Sequence, residues 1–132
     1  LEELPFALTW VDTEPARFPQ PISPQVTPRV TTDPAALARE APPGAFHIVM
    51  TYSHPLDLAI CHAVLSHGEF GHLGLIGSET KRARFVKRLR ELGLGEAQLT
   101  RLICPIGLPG IEGKQPAVIA VAIAAQLLAL PR

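Results

Sequence analysis

The sequence predicts an α/β fold built on a parallel sheet with helices on both faces. Three observations lead there. Short runs of apolar and β-preferring residues, Phe6 to Val11, Ala45 to Tyr52 and Gly71 to Ile76, alternate with stretches of helical periodicity. These runs are nearly continuous in apolar character, as strands buried on both faces are. Two of them pass into a helix through a capped turn, Ser53-His54-Pro55 after one and Gly77-Ser78 after the other.

Taken in order, Phe6 to Val11 reads as a buried strand ending at Asp12. Residues 13–32 form a proline-rich loop, because Pro fixes φ and removes a donor; Val26 to Val30 within it suits a very short edge strand. Asp33 caps a short helix with Pro34 at its first position, and Pro42-Pro43-Gly44 stops it. After the strand from Ala45, a helix runs to about Ser66, with Leu56, Ala59, Ile60, Ala63 and Val64 at apolar spacing and either Ser53 or His54 as its cap. A basic helix follows from Glu79 to Leu92, then a short one from Gly95 to Leu102. Cys104 to Gln115 reads as a loop, and Pro116 opens a last helix to Leu130 that is apolar almost all round. Such a helix needs cover on more than one side, which predicts a homodimer or an additional neighbouring helix.

Residues 1–132 therefore form one domain of Rossmann-like type. A complete doubly wound domain would place a strand, a glycine-rich turn and a helix ahead of Phe6. No G-x-G-x-x-G occurs, so the chain is expected to be a partial domain lacking the first βα unit, with a gap or partner strand beside its own.

Hydrophobic residues make up 47% and charged residues 18%, enough apolar material for a core and too little charge for a disordered chain. Lys+Arg and Asp+Glu each number 12, a balance that argues against nucleic acid or an anionic membrane as partner. Cys61 and Cys104 make neither a disulfide framework nor a closed zinc site, and the N-terminus lacks the order of a signal peptide. The expectation is a soluble cytoplasmic protein with no metal ligands.

Four places carry candidate chemistry. At Gly77-Ser78, glycine permits close backbone approach, Ser78 caps the helix, and Lys81 and Arg82 lie in its first turn against the helix dipole. A phosphate between the free N–H groups and these cations would resolve that conflict; the same residues also suit an ordinary cap on a solvated basic helix. His54 and Asp57 lie at the carboxyl end of a strand, where ligands bind in open α/β sheets, although each also suits a simple capping role. Pro105-Ile106-Gly107 gives fixed turns and exposed backbone for clamping a flat ligand, beside a Cys104 that reads as a packed thiol. Asp12 stands where an acid can bond a ribose. No nucleophile with a base and an orienting partner can be assembled, so no catalytic residue is assigned.

Together the stretches Leu4-Pro5-Phe6 to Val11-Asp12, Thr51-Tyr52-Ser53-His54-Pro55-Leu56-Asp57, Leu73 to Phe85 and Cys104 to Ile111 resemble the C-terminal domain of XdhC-type xanthine dehydrogenase accessory proteins. The resemblance implies a Rossmann-like domain that binds molybdenum cofactor, a pterin with a terminal phosphate, as cargo. It implies a maturation factor rather than an enzyme, assisting sulfuration of that cofactor and its insertion into apo xanthine dehydrogenase, with a cysteine desulfurase as sulfur donor. The competing readings are a fragment of a nucleotide-dependent oxidoreductase and a module that docks a molybdoenzyme subunit through its sheet edge or basic helix.

Overall fold

The computed structural model describes residues 7–14, 26–107 and 116–129. In chain order they form β1 (Leu8–Asp12), β2 (Val26–Val30), α1 (Pro34–Arg39), β3 (Ala45–Val49), α2 (His54–His67), β4 (Phe70–Leu75), α3 (Glu79–Glu91), α4 (Glu96–Leu99), β5 (Leu102–Ile103) and α5 (Pro116–Ala129). The fold is α/β with parallel strands, as predicted. Among the described residues the strands make two sheets, β1-β2 and β3-β4-β5, and every pairing is parallel. In β2, Pro28 sits opposite Trp10, a place an edge strand tolerates because proline has no N–H to give.

Local chemistry sets the helix starts. Ser53, in extended conformation, caps α2 by accepting from Leu56 N at 3.3 Å, which decides between Ser53 and His54. Ser78 caps α3 in the same way, accepting from Lys81 N at 3.1 Å. Gly68 ends α2 in the left-handed conformation that only glycine adopts without strain. Phe6, residues 15–25 and residues 108–115, on which part of the first strand and most of two loops were expected, lie outside the described residues.

The three-stranded sheet is covered on both faces. On one, Leu73 and Leu75 of β4 and Val49 of β3 pack with Ile60, Cys61, Val64 and Leu65 of α2 and with Phe85 and Leu89 of α3. On the other, Phe46, Ile48 and Ile76 meet Ile106 and, from α5, Ile123 and Leu127. A register shift between Ala45 and Phe46, where β4 carries one extra residue, lets Phe70 join the first core although it shares the parity of His72.

One expectation shifts. The predicted helix to Leu102 ends at Leu99, and Leu102 and Ile103 instead pair with Leu73 and Gly74. A strand of two residues has no periodicity to read; it exists because β4 offers it an edge. The last helix, predicted to need cover on more than one side, buries Ala122, Ile123 and Leu127 and leaves Val121 and Leu128 exposed. No helix among the described residues is long and apolar enough to cross a membrane.

Gly74 is fixed by packing: a Cβ there would lie 2.1 Å from Ile106 Cδ1 and 2.6 Å from its Cγ1. We expect Gly74→Ala to destabilise the domain by about 1–3 kcal/mol through overpacking. Adding Ile106→Val, which removes the nearest carbon, should recover part of that loss in a urea titration.

His72 is 3% exposed, its ring stands edge-on to Phe46, and its Nε2 has no hydrogen-bond partner among the described residues. Burial lowers the pKa of His72 and of His47. Below the unfolded histidine value the unfolded chain therefore binds more protons than the folded one. Stability should be fully present above about pH 6.5 and decline as pH falls from there toward the folded values. Urea midpoints at several pH values test this, and His72→Phe, which removes one of the two groups, should flatten the decline.

Candidate functional site

The carboxyl ends of β3 and β4 are tied together by one buried carboxylate. Pro55 at the start of α2 places Asp57 in the first turn, where its side chain is 1% exposed. Its Oδ1 accepts from Thr51 N at 2.8 Å and its Oδ2 from Lys81 Nζ at 3.2 Å. Lys81 Nζ also donates to the Ile76 carbonyl at 2.8 Å and lies 5.3 Å from the centre of the Phe85 ring. Thr51 closes the β3–α2 turn, its hydroxyl donating to Ser53 O and accepting from Ser53 N. Gly77 is needed where the Lys81 stem crosses the turn, since a Cβ there would fall 2.5 Å from Lys81 Cδ.

The loop after β5 closes on the same edge. Ile106 N donates to Leu75 O at 3.1 Å, Cys104 Sγ lies 3.8 Å from Ser78 O, and Gly107 N donates to Gln126 Oε1 of α5 at 2.9 Å. The Cys104-Pro105 peptide is cis, and Gly107 has φ +126°. Burial raises the pKa of Cys104, with Lys81 and Arg82 pulling the other way; burial, reinforced by Asp57, pushes the Cys61 thiol up to about 12. Both are therefore packed thiols at neutral pH.

The structure thus brings Asp57, Gly77, Ser78, Lys81 and the Pro105–Gly107 segment to one edge. His54 is exposed there, its ring edge-on to Phe85 at 6.4 Å between centres. Lys81, expected to face an anion beside Arg82, turns its ammonium inward to Asp57 and the Ile76 carbonyl because a buried carboxylate outcompetes solvent. Arg82 is half-buried; its backbone N–H donates to Ser78 O at 2.9 Å, and its guanidinium has no hydrogen bond or ion pair among the described residues. Asp12 ends β1, in the other sheet, with Oδ1 accepting from Thr13 N at 2.7 Å. Among the described residues no cluster of His, Cys, Asp and Glu could hold a metal ion. Sequence reasoning missed Thr51 as a partner of Asp57 and Gln126 as the acceptor for Gly107. Gln126 left a readable signal, being the polar residue in an otherwise apolar helix; Thr51 left none.

The family model of the XdhC Rossmann domain matches residues 1–127. The chain belongs to the XdhC Rossmann-domain family. It is also similar, at 26% identity and a TM-score of 0.73, to a crystal structure described as a xanthine dehydrogenase from Bacillus halodurans. That match covers 93% of this chain and 36% of the other, so this XdhC domain spans about a third of its structural relative. No curated protein matches the chain.

The Asp57–Lys81 pair should be the most sensitive polar contact of this XdhC domain. Lys81→Met strands a buried carboxylate that keeps one N–H donor, and should cost about 3–5 kcal/mol of stability. The double variant Asp57→Asn, Lys81→Met should lose less than the two single losses added together, as a double-mutant cycle in urea will measure.

Proposed function

We propose that this domain holds molybdenum cofactor at the carboxyl edge of its sheet and takes part in delivering it to apo xanthine dehydrogenase. The family match over residues 1–127 carries the reading. The edge geometry supports it. The start of α3 presents free N–H groups and the Ser78 hydroxyl, with Arg82 supplying a positive charge, a combination suited to the cofactor's terminal phosphate. Lys81 acts as a positioning residue: through Asp57 and Ile76 O it fixes the turn that presents those donors. Exposed His54 and the Pro105–Gly107 backbone flank the pterin.

In this reading the domain binds and transfers a cargo and catalyses no reaction of its own. A cysteine desulfurase supplies the sulfur that replaces an oxo ligand, the domain works as a homodimer in the cytoplasm, and xanthine dehydrogenase receives the product. The half-exposed Val121 and Leu128 of α5 supply apolar surface for a subunit contact.

Titration of the full-length protein with molybdenum cofactor tests the site. A charge-assisted phosphate contact is worth about 1.5–3 kcal/mol, so Arg82→Ala should weaken binding roughly tenfold to a hundredfold with an unchanged melting temperature. Lys81→Met should weaken binding and lower the melting temperature together. Unaltered affinity in Arg82→Ala would remove α3 from the site.

A further inference from the structure

On the outer helical layer, α1 and α2 leave a groove between them. Its volume is about 340 Å³, and it is lined by Ala35 and Arg39 of α1, by Pro55, Leu58, Ala59 and His62 of α2, and by Leu92. The lining follows from helical spacing. Ala35 and Arg39 are four apart on one face of α1, and Pro55, Leu58/Ala59 and His62 form a stripe on α2 pointing away from buried Cys61 and Val64. Ala35 and Leu58 also pack against the main core, so the floor is apolar and continuous with it. Leu92, just beyond α3, completes the lining and is 44% exposed.

The polar lining is one-sided. Arg39 and His62 are the titratable groups among the lining residues; no carboxylate is included, and neither side chain has an ion pair or hydrogen bond among the described residues. A guanidinium offers a fork of donors matched to a carboxylate, and an imidazole offers an N–H in either protonation state. We propose that this groove is a binding site for a small apolar carboxylate. Its aliphatic or aromatic body lies on Ala35, Leu58, Ala59 and Leu92, and its carboxylate meets Arg39 with His62 beside it. The volume is at the lower end of small-molecule sites, which restricts the ligand to a single short chain or ring.

Octanoate serves as the probe, with octanamide as a neutral control of the same shape, each titrated into the protein by isothermal calorimetry or amide-shift NMR. The proposal expects octanoate to bind, with shifts confined to α1, α2 and Leu92, and octanamide to bind at least tenfold more weakly. Arg39→Gln should reduce octanoate affinity about tenfold, in line with loss of one charge-assisted contact. Ala59→Phe, on an exposed groove wall, should fill the site and abolish binding while the melting temperature holds. Three results would overturn the proposal: no octanoate binding up to about 10 mM, where even an inefficient ligand of this size should register; equal affinity for octanoate and octanamide; or binding that survives both Arg39→Gln and Ala59→Phe. None of these involves residues at the carboxyl edge, so the outcome is independent of molybdenum cofactor binding.

Discussion

The contact between the Asp57 carboxylate and the Lys81 ammonium organises the carboxyl edge of the three-stranded sheet. Asp57 sits on α2 and Lys81 on α3, and their hydrogen bonds also reach Thr51 at the end of β3 and Ile76 at the end of β4. Two strand-to-helix turns that are far apart in sequence become one rigid unit. The pair is buried on the acid side and slightly exposed on the lysine side, at 1% and 16%. A carboxylate so placed would be expensive alone; it is tolerated because each of its oxygens has a donor.

A second constraint is the close approach of the β5 loop to β4. Gly74 makes room for Ile106, whose side chain lies across the strand and begins the core beneath α5. From there Ile106 N bonds back to β4 and Gly107 N reaches Gln126, so sheet, loop and final helix are connected by one short run of backbone. Gly107 could not be replaced lightly, since its φ of +126° is open to glycine alone and a Cβ would lie 3.1 Å from that of Ala122. Residues 104–107 of this Pro- and Gly-rich segment therefore have a fixed geometry.

Much of this was legible in the sequence because strong local chemistry wrote it. Ser caps, a proline at the start of α2, glycine stops and apolar periodicity located α2, α3, β3 and β4 to within a few residues. What escaped had no local signature. β5 is two residues long and is held by its neighbour β4. The bonding of Asp57 to Thr51 and Lys81 depends on how two turns face each other, which no spacing within either turn encodes. The choice of Ser53 over His54 as cap likewise came from backbone conformation rather than residue type.

The cations at the start of α3 illustrate how an electrostatic conflict in sequence can have an internal solution. Lys81 and Arg82 both oppose the helix dipole, and a bound anion would relieve both at once. The fold relieves Lys81 with its own carboxylate, Asp57, brought from α2. Arg82 has no such partner among the described residues. The two adjacent cations are thus divided in role: one holds the turn closed, and the other keeps a positive charge free at the helix end. A turn rigidified from within presents its N–H groups in a fixed geometry before any ligand arrives. On the proposed reading, donors held in this way need no rearrangement to meet a phosphate.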